Sequence, residues 1–381
     1  MFDVLPGEAL NDVASTATSN PFLVAVGGLV VFSGALGLLV LLGWVRRTRA
    51  ERLLGLFANR DAVTVLMHPN PDPDAMGCAV ALARLAEHVG ATATVQYPGR
   101  IRHQENRAFR NVLGLEFDRI TSADDLAADA VVLVDHNTPR GFQGADGVDP
   151  VAVVDHHPGD GSGSSFTDVR PEYGACASIV AEYYRDLNAV QLSEADYSSG
   201  RLLLPPSLAT GLVYGILSDT RYLTEGCVLA DFDAARYLYA GVDAMLLDRI
   251  ANPRVGVETL EVKARAITER DERPPYAVSD VGSVENVDAL PQAADELSGL
   301  ETVSAVVVVG DDGETLHLSG RSQDDRLHMG EVIERVVDGM PDASGGGHAR
   351  MGGGQVALNG HLERDQFRER LFEALDEAPG G

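Results

Sequence analysis

The chain has 381 residues, 45% of them hydrophobic, enough for two or three domains with cores of their own. Its formal charge is −27 with a single lysine, Lys263, so no basic stripe is available for long duplex nucleic acid. A nucleotide substrate must then be short and held by metal ions and a few arginines. An acidic surface almost free of lysine also keeps a protein hydrated in concentrated salt, and it points to a salt-accumulating halophile. Cys78, Cys176 and Cys227 lack CxxC spacing, which argues against structural zinc or a disulfide framework and fits a reducing compartment.

Residues 1–21 form a polar, acidic tail. From Phe22 to Val45 no residue is charged, and at helical rise that stretch is long enough for the roughly 30 Å hydrocarbon core. Trp44 lies where an interfacial aromatic belongs, and Arg46, Arg47, Arg49 and Arg52 follow. The positive-inside rule then predicts a single-pass anchor over 22–45, a basic juxtamembrane linker over 46–58 and cytoplasmic catalytic domains. Basic residues before the stretch and a small-residue cleavage site after it, the marks of a secretory signal, are missing.

Asp61–Met67 predicts a strand that runs into His68-Pro69-Asn70-Pro71-Asp72-Pro73-Asp74, with a helix from Ala79 to Val89. Three prolines stiffen this loop, as suits ligands held in place before a metal arrives. Aspartates two apart in extended chain point to different sides, so Asp72 and Asp74 can serve different ions. The same residues would also make a plain polar turn with Asp74 as helix N-cap.

A second strand follows over Ala91–Tyr97, and a third over Ala130–Val134 ends in Asp135-His136-Asn137. A fourth, Val151–Val154, delivers Asp155-His156-His157. Gly174–Leu187 reads as a helix, and Ser207–Leu217 as another that ends at Asp219. Strands that end in carboxylates or imidazoles, separated by helical connections, describe an open parallel sheet with its site at the carboxyl edge.

Residues 251–274 read as a helical, solvated connector that closes on Pro274-Pro275. A second α/β unit follows, with strands over Tyr276–Gly282, Val303–Val309, Thr315–Arg321 and Gly354–Leu358. Within it, Gly345-Gly346-Gly347-His348 and Gly352–Gly354 bracket Arg350. Glycines let successive N–H groups turn toward an anion, and with Arg321 at a strand end they predict a second substrate-holding surface. A flexible connection is the plain alternative.

His68, Asp72, Asp74, Asp135, His156 and Asp219 offer oxygen and imidazole donors without thiolate. That set favours two divalent ions, manganese ahead of magnesium because two imidazoles are softer than magnesium usually takes. Six side chains for two ions require one carboxylate to bridge, the arrangement that activates water for in-line attack on phosphorus.

H-x3-D-x-D at His68, Asp135 before His136, the Asp155-His156-His157 triplet and Asp219 resemble, in order and approximate spacing, the motifs of the DHH phosphoesterase superfamily. The Arg321-Ser322 strand end and the Gly345–His348 loop look like its DHHA1 domain. The nearest likeness is to the RecJ-like group of nanoRNase/pAp phosphatases and cyclic di-AMP phosphodiesterases, here of haloarchaeal type. The resemblance implies a DHH catalytic domain over 59–250, a DHHA1 substrate-binding domain over 275–377, and a cleft between them. It assigns one metal to His68, Asp72 and Asp135 and the other to Asp74, Asp135, His156 and Asp219, with Asp135 the bridge. His157 would face the scissile phosphate, with Asp155 and His136 as orienters. Arg321, Gly345, Gly346, Gly347, His348 and Arg350 would hold the distal nucleotide. The implied activity is hydrolysis of short oligoribonucleotides (nanoRNA, pAp) or cyclic di-AMP. An inorganic pyrophosphatase or exopolyphosphatase is the alternative, and a non-catalytic nucleotide sensor a further one. A homodimer is compatible with either enzyme.

Overall fold

Short runs of β-branched and small apolar residues form the strands of one parallel sheet in the computed structural model, and those at Ala62–Leu66, Val131–Val134 and Ala152–Asp155 lead into His68, Asp135 and Asp155-His156. The structure describes residues 22, 25, 26, 29, 32–34, 47–101, 103–191, 200–324, 326–358 and 363–378. The chain divides into two compact units, one up to Ile101 and from Phe109 to Leu247, the other over Arg102–Ala108 and from Asp248 onward.

In the first unit the strands are β1 (Ala62–Leu66), β2 (Thr92–Pro98), β3 (Asp118–Ile120), β4 (Val131–Val134), β5 (Ala152–Asp155) and β6 (Phe166–Val169). Every pairing is parallel, in the order β3-β2-β1-β4-β5-β6. β4 and β5 are buried at every position, which is why they read as unbroken apolar runs and not as an alternation. The winding reverses between β1 and β4, and that switch point opens a crevice at the carboxyl ends of those two strands.

Helix α1 (Arg49–Phe57) starts at a capping box in which Thr48 Oγ1 accepts from Glu51 N and Glu51 Oε2 accepts from Thr48 N. Helices α2 (Pro73–His88), α3 (Cys176–Asp186) and α4 (Pro206–Asp219) follow. A Cβ on Gly215 of α4 would stand 3.0 Å from Asp74 Cα, so only glycine admits α4 so close to the ligand-bearing start of α2. A two-stranded pair, β7 (Val190–Gln191) with β8 (Leu203–Leu204), and helix α5 (Leu229–Tyr239) complete the elements used below.

The second unit is a mixed sheet in the order β13-β14-β12-β11-β10-β9, in which only β10 and β11 pair in parallel. Its strands are β9 (Arg270–Arg273), β10 (Tyr276–Ser283), β11 (Ala305–Asp311), β12 (Thr315–Ser322), β13 (Ala343–Gly347) and β14 (Met351–Ala357). Helices α6 (Val257–Thr268) and α7 (Ala289–Leu297) bury Val262, Ala266, Leu290 and Ala293 on one face. Helices α8 (Met329–Val337) and α9 (Arg364–Asp376) bury Met329, Ile333, Val336, Phe367 and Leu371 on the other.

Three expectations need correction. No helix among the described residues is long and apolar enough to cross a membrane, which overturns the single-pass anchor and with it the cytoplasmic placement. The described positions within the 22–45 stretch are 22, 25, 26, 29 and 32–34. The other positions of that stretch, like the 1–21 tail, lie outside the described residues. The connector is not helical to its end, because Arg270–Arg273 pairs antiparallel with β10. The glycine run is a strand and not a loop: Gly345, Gly346 and Gly347 pair with Gly354, Gly353 and Gly352.

Candidate metal centre

At the end of β1, His68 Nδ1 lies 2.9 Å from Pro69 O. A carbonyl only accepts, so Nδ1 carries the hydrogen and Nε2 faces Asp72 Oδ2 and Asp135 Oδ2, each at 3.5 Å. Asp72, not Asp74, is the N-cap of α2: its Oδ1 accepts from Ala75 N at 3.0 Å, and its other oxygen stays with His68. Asp74 is fully buried at the start of α3, where Oδ2 accepts from Cys176 N (2.7 Å) and Oδ1 from Ala177 N (2.8 Å). Asp74 Oδ2 is 4.0 Å from His156 Nε2, so the two aspartates turn toward different histidines.

Asp135 ends β4 in the left-handed region, φ 60°, with no exposed surface. Its oxygens lie between the histidines, Oδ2 toward His68 and Oδ1 3.4 Å from His156 Nε2. His156, just past β5, places Nδ1 3.1 Å from Tyr173 O and Nε2 3.3 Å from Asp219 Oδ2 at the end of α4. Neither Asp135 oxygen nor His156 Nε2 has a hydrogen-bond partner among the described residues, although all three are buried. Buried carboxylate oxygens and an imidazole lone pair left this way are costly unless a cation takes them, so the donors fit a metal. Three groups meet that need: His68–Asp72–Asp135, Asp74–His156–Asp219 and Asp135–His156–His157, with candidate donor atoms within 4.8 Å of one another in each. Cys78 and Cys176 flank Asp74, but burial pushes both thiols up, that of Cys176 to about 12, and they remain protonated.

Burial and the neighbouring charge of Asp219 raise Asp74 to about 8. Asp135 is held well above the carboxylate range by burial and by Asp74 and Asp72. Asp219 is raised by burial. Asp72 is lowered, since the hydrogen bond and charge of His68 outweigh its burial. Burial opposes the charge of His156, yet the neighbouring carboxylates of Asp219 and Asp74 bring it up to about 9. His68 also rises against its burial, through Asp72.

His157 is half exposed, and Asp155 orients it by accepting from its backbone N (3.0 Å) and its Nδ1 (2.9 Å). Asn137 Nδ2 donates to the other Asp155 oxygen at 2.7 Å. His136 turns inward, with Nδ1 2.9 Å from Val134 O and its ring edge-on to His68 at 6.3 Å. Burial lowers it to about 3, so it is a neutral wedge. Neither Asn137 nor Tyr173 has a role that residue type and spacing predict. Asn137 stands within a quoted motif, whereas a main-chain carbonyl such as Tyr173 O leaves no trace in residue type.

In the second unit Arg321 Nε donates to Asp295 Oδ1 at 2.5 Å and Nη1 to Ser319 Oγ at 3.3 Å. A cavity of about 640 Å³ is lined by His317, Ser319, Gly345, Gly346, Gly347 and Gln355, among others, but not by Arg321, His348 or Arg350. His348 and Arg350 lie in the turn between β13 and β14, where His348 N donates to Met351 O.

Comparison with known proteins places these features in a family. The DHH family, N-terminal domain, matches residues 62–216, and the DHHA1 domain matches residues 273–378. The chain belongs to the DHH/DHHA1 superfamily. An uncharacterised protein of Methanocaldococcus jannaschii is 35% identical to this DHH/DHHA1 chain over 324 residues, covering 82% of it and 62% of that protein. A cyclic-di-AMP phosphodiesterase of Geobacillus thermodenitrificans is 26% identical over 347 residues, covering 87% of this chain and 50% of its own length. The chain thus spans about half to three-fifths of the length of these curated relatives. A solved exopolyphosphatase-related protein from Bacteroides fragilis shares the fold at a TM-score of 0.59 and 15% identity, over 86% of this chain and 95% of that one.

Proposed function

We propose that this DHH/DHHA1 protein is a metal-dependent phosphodiesterase that hydrolyses short oligoribonucleotides, pAp or cyclic di-AMP. The observation that carries the reading is Asp135, whose two unpartnered oxygens each face a different histidine. One divalent ion would be held by His68, Asp72 and Asp135, and the other by Asp74, Asp135, His156 and Asp219. The mixed oxygen and imidazole donors favour manganese, with magnesium next. When bound, such a pair neutralises phosphate charge and lowers the pKa of water.

The residues around the pair divide the remaining work. Asp135 keeps the two halves of the site in register. Asp155, itself fixed by Asn137, sets the plane of the His157 ring, and His157 donates a proton to the leaving oxygen. His136 stays neutral beneath His68 and fixes its orientation. Arg321, His348, Arg350 and the Gly345–Gly347 strand hold the distal part of a short substrate. The formal charge of −27 disfavours long polymers, and one relative is named a cyclic-di-AMP phosphodiesterase.

The test offers pApA, pAp, cyclic di-AMP and pyrophosphate in parallel to the full chain with manganese, with products separated by chromatography. Cleavage of a nucleotide substrate that is lost in Asp135→Ala is the expected result. Release from pyrophosphate alone would move the protein to the pyrophosphatase and exopolyphosphatase class. Nucleotide binding without any turnover would make it a sensor.

A further inference from the structure

Among the described residues His156 is hydrogen-bonded at one nitrogen only, and its partner is the main-chain carbonyl of Tyr173. That carbonyl belongs to a turn outside regular structure, in which Tyr173 N donates to Arg170 O (3.0 Å) and Arg170 N to Asp155 O (2.9 Å). The turn is fixed by ionic contacts. Arg170 donates Nε and Nη2 to the two oxygens of fully buried Asp168, each at 2.8 Å. Its Nη1 reaches Glu182 Oε2 at 2.6 Å and Tyr173 Oη at 3.0 Å, and Tyr173 Oη in turn donates to Glu182 Oε1 at 2.9 Å. Tyr183 Oη donates to Asp168 Oδ2 at 2.6 Å, and Arg49 of α1 donates to Asp168 Oδ1. On the far side of the turn Gly174 N donates to buried Asp231, which also accepts from Val228 N and Ser178 Oγ.

Buried ion pairs contribute little net stability beside an apolar core of the same volume, but they specify geometry when every member is satisfied. Here the geometry specified is that of one carbonyl. We infer that Arg170, anchored by Asp168, Glu182 and the Tyr173 hydroxyl, is a positioning residue for His156. It holds the turn whose carbonyl takes the Nδ1 hydrogen and so sets the direction in which Nε2 meets a cation. The inference rests on the two-metal reading, because it concerns one ligand of the second ion.

The test compares the full-length chain with Arg170→Met, Tyr173→Phe, His156→Ala and the Arg170→Met/His156→Ala pair. Manganese stoichiometry and affinity are read by electron paramagnetic resonance titration, and the Nδ1–H resonance of His156 by proton NMR of the metal-free protein. Wild type is expected to bind two ions and to show a slowly exchanging His156 Nδ1–H. Arg170→Met weakens one ion by a factor on the order of 10 to 100, leaves the other within about twofold, and speeds exchange of that proton. In the His156→Ala background Arg170→Met changes neither ion further. Tyr173→Phe leaves the Asp168–Arg170 pair intact and shifts the same ion in the same direction by a smaller factor, so it decides the matter if Arg170→Met fails to fold. Wild-type affinity for both ions together with unchanged exchange in Tyr173→Phe and any folded Arg170→Met would overturn the inference. A wild type that binds fewer than two ions would overturn the two-metal reading instead, and the exchange of the His156 proton would still decide the positioning role.

Discussion

Asp135 combines two properties that proteins seldom join in one residue: a left-handed backbone away from glycine, and a buried carboxylate with no hydrogen-bond partner among the described residues. The first costs roughly 1–2 kcal/mol, and local strain of this kind collects where a ligand will be held. His157 sits beside it in more ordinary surroundings, oriented by Asp155 and half exposed. Replacement by glutamine should therefore spare manganese binding and lower turnover by about two to four orders of magnitude, as measured by steady-state kinetics beside a metal titration. Protons give a second prediction. With Asp74 near 8 and His156 near 9, both hold a proton at pH 7 in the metal-free protein, and both must give it up to bind a cation. Manganese uptake at pH 7 should release at least two protons, and apparent affinity should climb with pH through about 8 and 9. Calorimetry in buffers of different ionisation enthalpy measures the release; no buffer dependence would refute it. The side chains at this site were legible because aspartate or histidine closes each apolar run. Tyr173 was not, since it acts through an atom that every residue possesses.

Among the elements, β13 and the start of β14, ahead of the predicted Gly354–Leu358 strand, show where pattern reading stops. Strands are recognised from alternating or β-branched side chains, and a glycine run has none, so it reads as a loop. Its reason lies across the sheet, in α8. A Cβ on Gly330 would stand 2.5 Å from the carbonyl carbon of Gly347, and backbone has little room to give way. Gly330→Ala should destabilise the protein by about 1–3 kcal/mol through overpacking, seen as a lower urea midpoint with an unchanged slope. A midpoint equal to that of wild type would mean that helix and hairpin are not so closely packed. β9 was obscured differently. Its run of charges looks like the solvated face of a helix, but an edge strand is also charged, to keep other strands from adding to it.

For the whole molecule, a parallel sheet with its site at the carboxyl edge was legible, whereas the strand order was not. Order depends on which side of β1 the chain returns to, and no local pattern records that choice. Charge acts at this scale as well. At −27 the folded chain repels itself, and salt screens that repulsion. The melting temperature should rise from low salt to molar potassium chloride; a flat or falling trend in thermal denaturation would show that self-repulsion does not limit stability. The switch point between β1 and β4 carries a kinetic consequence. The donors at 68–74, 135, 156 and 219 meet only after β1, β4, β5 and α4 have all docked, so the complete set is a late product of folding. Cations that grip it stabilise the native state without helping the chain reach its transition state. They would act as a latch: refolding is expected to proceed at the same pace with or without them, while escape from the folded state is expected to slow in proportion to their binding.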